Sequence, residues 1–123
     1  MLLSQKEFDD SLEIFSEALE MREMESVKCN EENKEKINLQ IAKILNNIGC
    51  VYFEYGELRD AKDTYEEALD IQRDNLCSKD PDDPAYLAMA STLCNLGENY
   101  FNYFLAIQFS MFESSLLFVK LDL

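Results

Sequence analysis

The chain has 123 residues, 47% hydrophobic and 29% charged, with three glycines, two prolines and no histidine. That is one domain's length, too apolar for disorder and too poor in turn residues for a β-sandwich, and its Glu, Leu, Ala and Lys favour helices. A net charge of −14 repels a phosphate backbone and an anionic lipid surface alike, so neither nucleic acid nor membrane is expected as a partner.

Without histidine, the commonest general base and transition-metal ligand are missing. Cys29, Cys50, Cys77 and Cys94 lie far apart and form no CxxC pair, which argues against a structural zinc site. With no signal peptide at Met1, the thiols read as reduced and the chain as cytoplasmic. The SKDPDD stretch lacks the glycine and the terminal Glu of a calcium loop, and no glycine-rich phosphate loop occurs. Acid pairs such as Asp9–Asp10 and Glu66–Glu67 are neighbours that point in different directions on a helix, so they read as solvated faces. No cofactor and no catalytic residue is expected, and the chain is read as a non-enzyme.

In chain order, residues 5–28 carry Phe8, Ser11, Leu12, Phe15, Ala18 and Leu19 in steps of three and four, one face of a helix. Cys29 to Asn33 is a polar connector with an N-cap expected at Asn33. A long helix follows from about Lys34 to Tyr55, with its apolar face at Ile37, Ile41, Ile44, Leu45, Ile48, Val51, Tyr52 and Tyr55. Gly56 ends it as a residue of positive φ. The next helix runs from about Glu57 to Leu76 through Leu58, Ala61, Tyr65, Ala68, Leu69 and Ile71, with Arg73 complementing its C-terminal dipole. Arg59, Lys62 and Arg73 are expected to pair with nearby carboxylates on exposed faces, each pair contributing little. Asp83–Pro84 reads as an N-cap with proline in the first turn. A helix through Leu87, Ala90, Leu93, Leu96, Gly97, Tyr100 and Phe101 comes next.

The chain repeats itself. LNNIGCVYFEY from Leu45 matches LCNLGENYFNY from Leu93 at an offset of 48, and FDDSLEIFSEALEMR from Phe8 matches LRDAKDTYEEALDIQ from Leu58 at an offset of 50. Two helix types recurring in alternation indicate a repeated hairpin. Small residues (Gly49, Ala61, Ala68) fall where two helices approach closely, and large ones (Leu45, Ile48, Tyr52, Leu58, Tyr65) fill the gaps.

The pattern LNNIG–x2–Y–x3–G–x–L–x2–A–x3–Y–x2–AL resembles a tetratricopeptide repeat, and the LNN start, ALDIQ end and DPDDPA linker resemble the longer repeats of kinesin light chain and nephrocystin-type proteins. The resemblance implies an all-α solenoid of antiparallel hairpins wound into a right-handed superhelix, with about five helices. It also implies a division of the single domain 1–123 into a partial repeat with only its second helix (6–28), a complete repeat (34–77) and a third repeat with a degenerate second helix (84–120). The packing positions it implies are Phe8, Phe15, Ala18, Leu45, Ile48, Gly49, Tyr52, Gly56, Leu58, Ala61, Tyr65, Ala68, Leu93, Leu96, Gly97 and Tyr100. Family members hold peptides on the concave wall lined by first helices, so the groove is expected at Lys43, Asn47, Cys50 and Asn95. Another reading has Asn47 and Asn95 bond each other across adjacent first helices. Lys43, Asn47 and Asn95 match half of the carboxylate clamp of chaperone-binding members, although the acidic field opposes an acidic peptide. The function implied is that of a scaffold or adaptor binding another protein, with a basic or neutral segment favoured by charge.

After Tyr103 the repeat pattern fails. Phe104 stands in the place of Gly56, and FLAIQFSMFESSLLFVKLDL is apolar nearly all round, with Phe112 loosely opposite Tyr65 and Ser115–Leu116 opposite Ala68–Leu69. A packed second helix, one continuous helix over 84–120, and a hydrophobic anchor over 101–119 in a membrane-associated or truncated fragment are the alternatives. Glu113 opposes the anchor, since a carboxylate in mid-bilayer costs about 2.5–3.5 kcal/mol. Self-association through the aromatic C-terminal segment is expected.

Overall fold

The structure, a computed structural model, describes residues 3–76 and 79–122; Cys77 and Ser78, at the end of the second expected hairpin, lie outside the described residues. It is all-α: α1 Gln5–Lys28, α2 Glu31–Tyr55, α3 Leu58–Asn75 and α4 Pro84–Asp122. α2 and α3 share the largest contact, α1 packs on α2, α3 packs on α4, and α2 touches α4 lightly.

Each helix starts where its local chemistry allows. Ser4 caps α1 by a capping box, accepting from the Glu7 N–H at 3.2 Å while Glu7 Oε2 accepts from the Ser4 N–H at 3.1 Å. α2 begins one turn earlier than expected. Asn30 is its cap and accepts from the Asn33 N–H at 3.2 Å, which makes Asn33 the donor rather than the cap. α2 ends at Gly56, whose φ of 97° lies in the left-handed region where an L side chain costs about 1–2 kcal/mol. α4 starts as expected, with Asp83 Oδ1 accepting from the Ala85 N–H at 2.9 Å.

The core forms two joined clusters. Ile41, Ala42, Leu45, Ile48 and Ala68 make one, flanked by Leu12, Phe15 and Leu19 of α1. Ala61, Tyr65, Leu69 and Leu96 make the other, flanked by Cys50, Tyr52 and Phe53. Phe8 pins the start of α1 by stacking on Tyr55, ring centroids 4.0 Å apart at 16°, while the Tyr55 hydroxyl donates to Gln5 Oε1. Ser26, Asn38 and Asn75 tie the other ends of α1, α2 and α3 together: the Ser26 hydroxyl donates to Asn38 Oδ1 at 3.1 Å, and the Asn38 amide donates to Asn75 Oδ1 at 3.0 Å. The ion pairs are exposed, from Arg22–Glu25 at 2.8 Å to Lys62–Glu66 and Arg73–Asp70 at 3.7 Å, and contribute little.

The chain departs from a third hairpin at Phe104. Among the described residues four helices stand where about five were expected, because residues 84–122 form one helix of 39 residues. Phe104 cannot take the backbone of Gly56 without strain, and no glycine or proline follows Gly97 to break the run. The degenerate second helix therefore does not fold back, and the continuous-helix alternative describes what the chain does. From Phe104 to Val119 the helix is exposed on every side. Among the described residues, no helix is long and apolar enough to cross a membrane, so the anchor over 101–119 finds no support.

Candidate peptide groove

The first-type helices α2 and α4 line a cleft of about 390 Å³ whose walls are Lys43, Asn46 and Asn47 of α2, Gln72 of α3, and Pro84, Ala85, Ala88 and Ser91 of α4. Gln72 is buried, and its Oε1 has no hydrogen-bond partner. An unmet acceptor of this kind costs about 1–3 kcal/mol unless something donates to it. On the other side of α2, a shallower cleft of about 360 Å³ runs between α1 and α2, lined by Leu3, Ser11, Phe15, Asn47, Cys50, Val51 and Glu54. Asn47 borders both clefts.

The four groove residues read from the sequence separate into two pairs. Lys43 and Asn47 stand on the wall of the larger cleft. Asn95 and Cys50 are engaged in packing between helices: the Asn95 amide donates to Asn46 Oδ1 at 3.1 Å and to Cys50 Sγ at 3.7 Å, and the Tyr65 hydroxyl donates to the same sulfur at 3.3 Å. The cross-helix amide bond thus joins Asn95 to Asn46, not to Asn47. One residue is a 100° step on a helix, which turns Asn46 toward α4 and Asn47 toward the open cleft. Gln72 was not picked out from the sequence, because its position on α3 resembles a solvated one until α4 closes over it.

The packing positions also divide. Leu45, Ile48, Gly49, Ala61, Tyr65 and Ala68 are buried, and so are Phe8 and Leu96. Phe15, Ala18, Tyr52 and Leu58 are half-buried. A Cβ placed on Gly49 would lie 2.5 Å from Tyr65 Cε1, so only glycine lets the ring approach. Leu93, Gly97 and Tyr100 do not pack as their counterparts do. Leu93 is 50% exposed against 5% for Leu45, Tyr100 is 47% exposed, and a Cβ on Gly97 would meet nothing within 4 Å. The reason is the missing turn: the segment that would cover them continues straight on.

Burial of Tyr65 raises its hydroxyl pKa far above the ordinary tyrosine value, helped by the bond to Cys50 and the charges of Glu98 and Glu54. Tyr100, at the surface, is raised by its hydrogen bond to Glu66 Oε1 at 2.8 Å. No cluster of three or more His, Cys, Asp or Glu able to hold a metal ion occurs among the described residues. Cys29, Cys50 and Cys94 are free thiols.

A family model of the tetratricopeptide repeat matches residues 42–75, which are the C-terminal part of α2, the Gly56 turn and all of α3. No curated protein and no solved structure matches the chain. The match supports a tetratricopeptide reading of the α2–α3 hairpin, and such repeats mediate contacts between proteins.

Proposed function

We propose that this chain is a non-catalytic scaffold or adaptor module that holds an extended segment of another protein in the cleft between α2 and α4. The observation that carries the reading is the meeting of Lys43 and Asn47 of α2 with Gln72 of α3 in the lining of that cleft. An extended peptide offers carbonyls for Lys43 and the Asn47 amide and backbone N–H groups for the Asn47 carbonyl, since asparagine can donate and accept at once. Alanines and Pro84 on the α4 side leave room for a backbone to come close.

The net charge of −14 favours a neutral or basic segment and steers it inward at low salt. The clamp for an acidic terminus is the weaker version, since Asn95, one of its three matching residues, is bonded to Asn46. We read α1 as the second helix of a partial repeat and α4 as the first helix of the next, of the longer kinesin light chain and nephrocystin type, on the offsets of 48 and 50 between like helices. The dispersed thiols fit a reducing compartment such as the cytoplasm.

A photo-crosslinking residue at position 88 on the cleft wall, with one at exposed Asp63 on α3 as control, tests the groove. Adducts at 88 but not at 63, lost when Lys43→Ala and Asn47→Ala are added, support it. Undiminished capture by that variant removes the groove assignment.

A further inference from the structure

The flank of α4 that carries Leu93, Gly97 and Tyr100 is half of an interface whose complete form exists in the same molecule. In α2 the matching Leu45 and Gly49 are buried, with Gly49 under the Tyr65 ring of α3. In α4 the same residue types at the same spacing are bare. Beside them the seam between α3 and α4 stands open in two grooves. One, of about 270 Å³, is lined by Leu58, Arg59, Lys62, Asn99, Tyr100 and Tyr103, and the other, of about 340 Å³, runs past Glu66, Leu69, Leu96 and Tyr100. Asn99, which lines the first groove, is 1% exposed, and its Oδ1 has no partner although its amide donates to the Leu58 carbonyl at 2.9 Å. The bare half-interface marks where a hairpin's second helix would lie, and the open seam runs beside it.

A helix of the right character is present in the chain. Residues 104–119 are helical, exposed and apolar nearly all round, and Phe112, Ser115 and Leu116 keep the spacing of Tyr65, Ala68 and Leu69. Monomeric proteins rarely leave a continuous apolar surface of this extent uncovered. A straight helix cannot cover its own other half; the same helix of a second molecule can.

We propose that two copies of this chain pair antiparallel along α4, each laying residues 104–120 over the 84–103 half of the other. This is a reciprocal exchange of the hairpin's second helix. The register closes on itself. The Gly49–Tyr65 contact transfers to Gly97 against Phe112 of the second copy, and the Leu45–Ala68 neighbourhood transfers to Leu93 against Ser115. Both pairings place the two-fold axis next to Phe104, the residue that replaces the Gly56 turn and lies near the middle of α4. An antiparallel pair of identical segments is two-fold symmetric, so the assembly closes at two chains. In this register residues 87–122 of the two helices overlap, about 54 Å of contact, which approaches the extent of a stable interface, on the order of 1,200–2,000 Å².

The inference rests on reading α4 as first and second helix of one repeat, as proposed above, and not on the α2–α4 cleft. Lys43→Ala, Asn47→Ala should therefore leave the pairing unchanged, which separates a failure of one proposal from a failure of the other.

Sedimentation of the intact chain is expected to show a two-chain species at micromolar concentration. Gly97→Leu is expected to weaken it by about tenfold or more, because the side chain meets Phe112 of the second copy. On an uncovered helix the same change would only raise stability. Phe104→Gly restores the turn and is expected to give a monomer of retained helix content. In a background where the native cysteines are serine, mixing Leu93→Cys chains with Ser115→Cys chains is expected to yield disulfides between unlike chains only, which keeps the test alive if either other variant fails to fold. A monomeric intact chain, indifference to Gly97→Leu, or a disulfide closing within a single chain that carries both cysteines would overturn the proposal. So would a ladder of growing species, which would mean that the exposed Ile14 and Met21 of α1 in one copy dock on α4 of the next.

Discussion

Gly49 and Tyr65 meet so closely that any side chain at 49 would occupy the space of the ring: the nearest ring carbon is 2.5 Å from where a Cβ would stand. This contact brings α2 and α3 together and aims the Tyr65 hydroxyl at Cys50 Sγ. Gly49→Ala is therefore expected to be destabilising despite alanine's better helix propensity, by about 1–3 kcal/mol as overpacking does. Urea denaturation should show the midpoint falling with little change in slope; an unchanged or raised midpoint would mean the ring can move aside.

Gly56 makes a different demand. Nothing lies within 4 Å of a Cβ there, so the cost of Gly56→Ala is that of the backbone at φ 97° alone, about 1–2 kcal/mol. Gly56→Asn should cost less, because asparagine tolerates the left-handed region better than other side chains. Thermal unfolding of the two variants should therefore rank Gly above Asn above Ala, and equal losses would point to a steric cause instead.

Tyr65 is expected to make stability fall in alkaline solution. Its pKa is raised on folding, first by burial, so the neutral hydroxyl is bound more tightly in the folded state than in the unfolded one. That contribution is fully present below the ordinary tyrosine value of 10.0 and is lost as the pH climbs above it. Helix content followed by circular dichroism through this range should drop cooperatively. Tyr65→Phe should shift the drop to higher pH, at the cost of the bond to Cys50; an identical alkaline transition in that variant would assign the transition to another group.

Asn38 bonds Ser26 on one side and Asn75 on the other. Asn38→Ala removes both bonds and is expected to cost about 1–3 kcal/mol, at 0.5–1.5 kcal/mol for each. Hydrogen exchange should quicken at the C-terminal ends of α1 and α3 before it does around Gly49. Uniform quickening would show that the relay is not a local tie.

The centre of the molecule was legible in the sequence because its constraints are local or short in range. Gly56 stops α2, and the small–large pairing of Gly49 with Tyr65 and the apolar steps of Ile41, Leu45 and Ile48 fix which faces meet. The ends of α1 were read correctly because the helical spacing starts just after Ser4 and the polar CNEEN run stops it. The start of α2 was misplaced by one turn because two asparagines three residues apart can each serve as cap, and Asn30 wins by accepting from Asn33. Less legible was anything that depends on what covers a helix. Leu93, Gly97 and Tyr100 spell the same words as Leu45, Gly49 and Tyr52, yet stand bare because one residue, Phe104, keeps the chain from turning. Asn46 and Asn47 are chemically identical neighbours, and only the helix rotation decides that Asn46 holds Asn95 while Asn47 faces the cleft.

The central claim, that the α2–α4 cleft holds a segment of another protein, is tested most directly by nuclear magnetic resonance. Extended peptides selected from a random library against the intact chain are titrated into isotope-labelled protein. Neutral or basic peptides should be selected. Amide shifts should gather at Lys43, Asn46, Asn47, Gln72, Ala88 and Ser91, and both effects should be lost in Lys43→Ala, Asn47→Ala. Shifts gathered on the outer faces of α1 and α3, or binding untouched by that double substitution, would contradict it.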